Sequence, residues 1–96
     1  LRLFDMFRKV ETASTFARKV STINNGTDRG QLHHAIAAKT YSTRVAFEVA
    51  SEALQIFGGN GLTKEYPIEK ILRDARASMI EDGCNEVLSI VGAEDL

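Results

Sequence analysis

The sequence changes character at Gln55-Ile-Phe-Gly-Gly-Asn-Gly-Leu-Thr-Lys-Glu-Tyr-Pro67, a stretch that separates two segments with helical spacing. Three glycines between positions 58 and 61 remove helix propensity and permit backbone angles that side chains forbid. Pro67 then suits the first turn of a new helix, because its ring fixes φ and no amide partner is needed there. The stretch therefore predicts one helix that ends before it and another that begins after it.

Two long helices are predicted on its N-terminal side. From about Arg29 to Phe57 the chain has no Pro, no Gly after Gly30 and many alanines, which predicts the longest helix. Turn formers at positions 24–28 separate it from a helix over about residues 1–23, and Asp28 is predicted to cap the second helix. The first helix is indicated by apolar residues at three- and four-residue steps: Leu3, Met6, Phe7, Val10, Ala13, Ala17, Val20 and Ile23.

Two shorter helices are predicted on the C-terminal side. Apolar residues recur at helical spacing from Pro67 to about Ile80, with Glu69 placed to pair with Arg73 four residues later. Gly83 interrupts the pattern, and residues from Asn85 to about Val91 predict a short last helix. The predicted fold is all-α, an antiparallel up-and-down helical bundle.

Composition sets limits on the class of protein. The chain has 96 residues, 44% hydrophobic and 26% charged, which fits one domain whose modest core is completed by packing against something else. A net charge of −1 gives no electrostatic footprint for nucleic acid or an anionic membrane surface. The single cysteine, Cys84, forms no internal disulfide, and together with the lack of a long apolar run it favours a cytoplasmic or, in a eukaryote, mitochondrial matrix location.

Three blocks resemble, in order and spacing, the C-terminal helical domain of flavin-dependent acyl-CoA dehydrogenases. They are the Gln55–Pro67 stretch, Arg73-Asp74-Ala75-Arg76 and Asp82-Gly83-Cys84-Asn85-Glu86. The likeness in motif runs from Leu54 to Val87, whereas the first two helices match in length and pattern. It implies that residues 1–96 are the C-terminal helical domain of a longer chain, with the first bundle helix missing and no activity in isolation.

The resemblance also implies a cofactor and partners. Gln55, Gly58 and Gly59 would line an FAD site shared between two subunits, although glycines after a helix are by themselves more often a cap and turn. The implied partners are an acyl-CoA substrate, an electron-transfer flavoprotein as electron acceptor, and further copies of the chain in a homodimer or homotetramer. The implied reaction is oxidation of the acyl-CoA to the 2,3-enoyl-CoA.

Asp82 occupies the position of the family glutamate that removes the α-proton of the acyl thioester. Such a base needs a carboxylate in a desolvated pocket, where burial raises its pKa. The resemblance implies that the main-chain N–H of Asp82 donates a hydrogen bond to the thioester oxygen and that Gly83 contacts the substrate. Because Asp is one methylene shorter than Glu, three alternatives stay open: Glu81 is the base after a local shift, the base lies upstream, or there is none.

Other departures and alternatives complete the prediction. Cys84 stands where the family has a Thr that touches the flavin ring. The resemblance also implies that Glu86 belongs to the cofactor site. His33 and His34 lack further ligands at metal-binding spacing, so no metal site is predicted. The last helix lacks the arginines that its counterpart in the family carries, so no contact with the CoA phosphates is predicted there. The rival functions are a nitroalkane oxidase-like enzyme, which also uses an Asp at this place, an acyl-CoA oxidase-like enzyme, and a non-catalytic helical module for self-association. Acyl chain length and branching are not specified by the sequence.

Overall fold

A computed structural model describes residues 1–26, 31–58 and 67–96. These residues form four helices and no strand: α1 (Arg2–Asn25), α2 (Leu32–Phe57), α3 (Ile68–Ser78) and α4 (Asn85–Asp95). The predicted all-α helical fold is confirmed.

Helix α2 is the centre of the structure. It packs against α1, α3 and α4, whereas in the described part of the chain no other pair of helices packs together. Its alanine content permits close approach, and Gly92 of α4 continues this pattern, since a Cβ there would lie 3.1 Å from Cγ2 of Ile36. The buried apolar side chains come from three of the helices: Ala13, Val20, Ile36, Val45, Ala50, Ile68 and Ala75. Every element of the candidate site is therefore positioned relative to α2.

The helix ends differ from the predicted ones at particular residues. Helix α2 begins at Leu32 rather than near Arg29, with Gln31 as its extended N-cap residue and the Gln31 amide donating to Oδ1 of Asn24 at 2.8 Å. The predicted cap, Asp28, lies outside the described residues. Helix α1 ends at Asn25, where the amide of Gly26 donates to two carbonyls of the last turn.

The C-terminal helices also end at other residues than predicted, α3 two residues earlier and α4 four residues later. Helix α3 ends at Ser78 and is followed by turns, while α4 continues past Val91 to Asp95. The extra turn brings Asp95 to the beginning of α2, where it contacts His33. The predicted Glu69–Arg73 pair is present, with 3.4 Å between Oε1 and Nε.

A large part of the apolar surface stays exposed. Leu3, Phe4 and Phe7 of α1 are 70%, 59% and 59% exposed, although Leu3 and Phe7 belong to the apolar stripe that predicted the helix. Further large apolar residues are exposed on and beside α3 and α4: Ile71, Ile80, Val87 and Ile90. Exposed apolar surface on this scale is typical of a chain that packs against another polypeptide.

Candidate active site

The connection between α3 and α4 carries the residues predicted to do chemistry. Helix α3 tightens at its end, where the amides of Ile80 and Glu81 both donate to the carbonyl of Ala77, at 2.9 and 3.0 Å. The amide of Asn85 then donates to the carbonyl of Met79 at 2.9 Å. These bonds close residues 79–85 into one turn, hereafter called the catalytic turn after the base predicted at Asp82.

Asp82 stands in the left-handed backbone region, with φ 56°, and Gly83 follows with φ 102°. Within the described ranges Asp82 is the only residue other than glycine with a positive φ. Such a conformation costs of order 1–3 kcal/mol for a residue with a Cβ, although Asp tolerates it better than most. Two successive positive φ angles reverse the chain and leave the Asp82 carboxylate exposed on the catalytic turn.

Gly83 fits its position for two reasons. Its φ of 102° is one that L side chains rarely adopt, and a Cβ at this residue would lie 3.1 Å from Cδ2 of Leu88. The backbone of the catalytic turn therefore lies directly against the first turns of α4. A side chain at position 83 would separate these two segments.

The structure brings together five of the predicted site residues. Glu81, Asp82, Gly83, Cys84 and Glu86 lie within the catalytic turn and the first turn of α4. Both candidate bases, Glu81 and Asp82, are exposed, so the desolvated pocket expected around the base is not formed by the described residues alone. Any burial of these carboxylates has to come from other parts of the polypeptide or from a second chain.

Cys84 and Glu86 are held by the start of α4. Cys84 is the half-buried, extended N-cap residue with a free thiol, and its carbonyl accepts from the amide of Leu88 at 3.0 Å. Glu86 lies in the first helical turn, where a negative charge is favoured by the helix dipole. Glu86 also lines an open groove of about 310 Å³ between α2 and α4, whose other lining residues are Thr40, Tyr41, Arg44, Met79, Asn85 and Ser89.

Gln55 and Gly58 lie at the other end of α2. The amide of Gly58 caps the helix by donating to the carbonyls of Gln55 and Leu54, and its φ is 63°. Among the described residues, no atom beyond its chain neighbours lies within 4 Å of where a Cβ of Gly58 would be. Gly59, the third predicted flavin residue, lies outside the described residues.

The two groups of site residues are far apart along one chain. Lys39 of α2 contacts the catalytic turn, and Gln55 lies sixteen residues further along the same helix, about 24 Å at the α-helical rise. Gln55 and Gly58 are therefore not brought to Asp82 by the described part of this chain.

Sequence patterns did not indicate the side chains that hold the catalytic turn against α2. Nζ of Lys39 donates to the carbonyl of Gly83 at 2.9 Å and to Oδ1 of Asn85 at 2.7 Å. Nδ2 of Asn85 donates in turn to Oγ1 of Thr43 at 2.9 Å and to the carbonyl of Thr40 at 3.3 Å. One signal was available, since Lys39 is the only Lys, Arg, Asp or Glu between Gln31 and Tyr41.

A second polar link joins the ends of α2 and α4. Oδ2 of Asp95 lies 3.0 Å from both the backbone nitrogen and Nδ1 of His33. The side-chain hydrogen bond to His33, followed by the backbone one, lowers the pKa of the Asp95 carboxyl below its ordinary value. The carboxylate thus satisfies a free amide at the start of α2, which has no side-chain cap of its own.

The described residues contain neither a cluster of metal ligands nor a membrane-spanning helix. Among residues 1–26, 31–58 and 67–96 no three His, Cys, Asp or Glu side chains are grouped so that they could hold a metal ion. None of the helices in those ranges has the length and apolar content needed to cross a membrane.

The sequence matches a known protein family along its whole length. The model of the acyl-CoA dehydrogenase C-terminal domain covers residues 1–96. The chain therefore belongs to the acyl-CoA dehydrogenase family, in agreement with the resemblance carried by the three motif blocks.

Individual relatives support this assignment. The cyclohex-1-ene-1-carbonyl-CoA dehydrogenase of Syntrophus aciditrophicus (strain SB) is 34% identical over 93 residues, covering 96% of this chain and 22% of that protein. An acyl-CoA dehydrogenase of Bacillus subtilis (strain 168) is 34% identical over 91 residues, covering 94% of this chain and 24% of that protein. The chain thus spans about a quarter or less of the length of these relatives.

A solved structure shares the fold. One chain of the structure described as "Electron transferring flavoprotein of Acidaminococcus fermentans: Towards a mechanism of flavin-based electron bifurcation" superposes with a TM-score of 0.90. The two are 34% identical, and the superposition covers 97% of this chain and 24% of the other. The helical arrangement described above is therefore one that a solved protein adopts.

Proposed function

We propose that this chain is the C-terminal helical domain of a longer FAD-dependent acyl-CoA dehydrogenase, which oxidises an acyl-CoA to the 2,3-enoyl-CoA. The observation that carries the proposal is the position of Asp82. In a chain that matches the family over residues 1–96, its exposed carboxylate stands on a closed turn, at the position that the sequence resemblance gives to the base. The isolated chain is proposed to be inactive, because its described residues leave this carboxylate exposed and distant from Gln55.

In the proposed reaction Asp82 takes the α-proton of the thioester. The electron pair of that C–H bond forms the new carbon–carbon double bond as the β-hydrogen leaves as hydride. FAD supplies the acceptor for this hydride when it is bound. The main-chain N–H of Asp82 and the adjoining Gly83 are proposed to contact the thioester, whose polarised oxygen makes the α-proton more acidic.

Gln55 and Gly58, with Gly59, are proposed to hold the flavin, and Cys84 and Glu86 to approach it from the side of the base. The open space that the described residues leave at Gly58 fits this role. Gln55 lies about 24 Å along α2 from Lys39, which contacts the catalytic turn. This separation favours a site in which Gln55 of one subunit lies beside Asp82 of another. The exposed apolar residues of α1 and α4 are consistent with such a homodimer or homotetramer.

Electrons are proposed to leave to an electron-transfer flavoprotein, and the solved relative described in connection with such a flavoprotein supports this choice. The proposed location is the cytoplasm, or the mitochondrial matrix in a eukaryote. Neither proposal depends on the identity of the acyl group.

Asp82 is preferred to Glu81 as the base because it directly precedes Gly83, at the reversal of the chain. The test is anaerobic bleaching of the flavin in the full-length polypeptide, with straight, branched, dicarboxylic and ring-containing acyl-CoAs. Ring compounds belong in the panel because the shorter Asp requires a different approach of the substrate, and because one relative is named for a ring thioester.

Wild type is compared with Asp82→Asn and Glu81→Gln. Bleaching that is lost in Asp82→Asn and kept in Glu81→Gln supports the assignment, and the active thioester identifies the substrate class. Bleaching that persists in both variants moves the base upstream.

Asp82 also fits a nitroalkane oxidase-like enzyme, for which a carbon acid of another kind is the substrate. Oxygen consumption by wild type during turnover separates this oxidase alternative from a dehydrogenase. A full-length polypeptide that binds no flavin would instead favour a non-catalytic helical module.

A further inference from the structure

We propose that Lys39 is a positioning residue for the reaction, which holds the catalytic turn at the distance from α2 that Asp82 requires. The inference rests on the proposed function of Asp82. It assigns a role to a side chain that the three motif blocks do not include, more than forty residues before the turn it contacts.

The contacts of Lys39 are directed at the backbone next to Asp82. Its Nζ donates to the carbonyl of Gly83 at 2.9 Å, which fixes the peptide plane that directly follows the Asp82–Gly83 reversal. The same ammonium donates to Oδ1 of Asn85 at 2.7 Å, at the start of α4. One side chain of α2 thus contacts the turn at two points, both on the C-terminal side of Asp82.

Asn85 extends the link and fixes its direction. Its Nδ2 donates to Oγ1 of Thr43 at 2.9 Å, and Thr43 lies one helical turn after Lys39. Its backbone amide donates to Met79. The catalytic turn is therefore bound to two successive turns of α2, and a sliding motion along the helix would break both contacts.

The chemistry of Lys39 is unusual for a residue with a purely structural role. The ammonium is partly buried and its hydrogen-bond acceptors are neutral oxygens, and it makes no ion pair with any described carboxylate. A neutral or apolar side chain avoids the cost of removing a charge from water. What the ammonium provides is several strong donors on a long stem, which can hold a carbonyl of a turn with strained backbone angles.

The expected effect is on rate rather than on binding. A displacement of about 1 Å at a reacting group can cost about 100-fold in rate. In Lys39→Met we expect flavin reduction at saturating acyl-CoA to slow by about 10- to 100-fold for this reason. Flavin content is expected to stay unchanged, because Lys39 donates to neither Cys84 nor Glu86, and Gln55 and Gly58 lie about 24 Å further along α2.

The experiment measures flavin reduction by stopped flow in the full-length flavin-loaded polypeptide. The variants are Lys39→Met, Lys39→Arg and Thr43→Val, with Lys70→Met as the matched control. Lys70 is an exposed lysine of α3 paired with Asp74 at 2.8 Å, and its loss leaves the catalytic turn untouched. Flavin content and Tm are recorded for each protein.

A slower reduction in Lys39→Met, partly recovered in Lys39→Arg, with unchanged acyl-CoA affinity, flavin content and control rate, supports the inference. Equal rates in wild type and Lys39→Met overturn it. If Lys39→Met does not fold, Thr43→Val is the deciding variant, because it weakens the hydrogen bond that Asn85 makes to α2. We expect Thr43→Val to slow flavin reduction at unchanged flavin content. A wild-type rate in Thr43→Val then overturns the inference. A wild type that bleaches with no thioester overturns the proposed function and this inference with it.

Discussion

Oδ2 of Asp95 lies 3.0 Å from both the backbone nitrogen and Nδ1 of His33, so the last turn of α4 caps the first turn of α2. The two residues are 62 positions apart in sequence. They join the C-terminal end of the described structure to the helix on which all the others pack. The contact therefore bears on the stability of α4, and α4 carries Glu86 and adjoins the catalytic turn.

The first prediction concerns the pH dependence of this contact. The folded state has the lower Asp95 pKa, so the contact stabilises the fold above the ordinary carboxyl pKa and is lost as the pH falls through the lowered value. We expect the Tm of wild type to exceed that of Asp95→Asn near neutral pH, and the difference to shrink below about pH 4. Thermal denaturation from pH 7 to pH 3 measures it.

Glu94→Gln is the control for that experiment, because it removes a neighbouring negative charge that His33 does not contact. Parallel Tm curves for wild type and Asp95→Asn over the whole pH range would contradict the prediction.

The second prediction tests the close approach at Gly83. Replacement by Ala places a Cβ 3.1 Å from Cδ2 of Leu88 and leaves it at a φ of 102°. Backbone strain of this kind costs of order 1–3 kcal/mol, so we expect Gly83→Ala to lower the free energy of unfolding by about 2 kcal/mol. Chemical denaturation measures the change.

Gly26→Ala is the matched control for Gly83→Ala. Gly26 has a φ of −85°, and its nearest atoms would lie 3.4 Å from a new Cβ. We expect a small change in stability at Gly26. Equal losses at the two glycines would show that neither backbone strain nor Leu88 is responsible.

The third prediction separates the fold of the catalytic turn from its chemistry. Asp82 is held at φ 56°, which glycine adopts without strain. We expect Asp82→Gly to fold with a Tm at or above that of wild type and to lose flavin reduction. Asp82→Val, a β-branched side chain at positive φ, is expected to lose stability as well, by about 1–3 kcal/mol. A Tm for Asp82→Gly well below that of Asp82→Val would contradict this description of the turn.

The sequence predicted the helices well because their signals are local. Gly58 and Pro67 ended and began helices at the positions expected, and the apolar spacing placed α1 and α3 within a few residues. The catalytic turn was predicted as a break, from Gly83, but its geometry was not. Asp82 adopts a positive φ in a turn that Lys39 and Asn85 hold against α2. Such tertiary contacts cannot be predicted from the spacing of apolar residues.

Contacts between distant residues were the part that the sequence pattern could not supply. Lys39 and Asn85 are 46 positions apart and each is common on helix surfaces, so their pairing depends on how α2 and α4 pack. Asp82 and Glu81 are exposed in the described part of the chain, whereas the predicted base needs a desolvated pocket. The positions of these carboxylates follow from the fold, whereas their burial depends on surfaces that the described residues do not provide.

The last prediction concerns the exposed aromatic surface of α1. Phe4 and Phe7 stack with ring centroids 6.3 Å apart, and each is 59% exposed. Burying one such side chain contributes about 1.5–3 kcal/mol, so a pair of this kind is a strong contact when another polypeptide covers it.

We expect the double variant Phe4→Ser, Phe7→Ser to shift the full-length polypeptide toward smaller assemblies in sedimentation velocity. Arg18→Ser, Lys19→Ser is the control, because it alters two exposed residues of the same helix without removing apolar surface. Unchanged sedimentation of the Phe variant would assign this surface to contacts within one subunit. In that case Tm falls in the Phe variant and not in the control, since the apolar contact then stabilises the fold instead of the assembly.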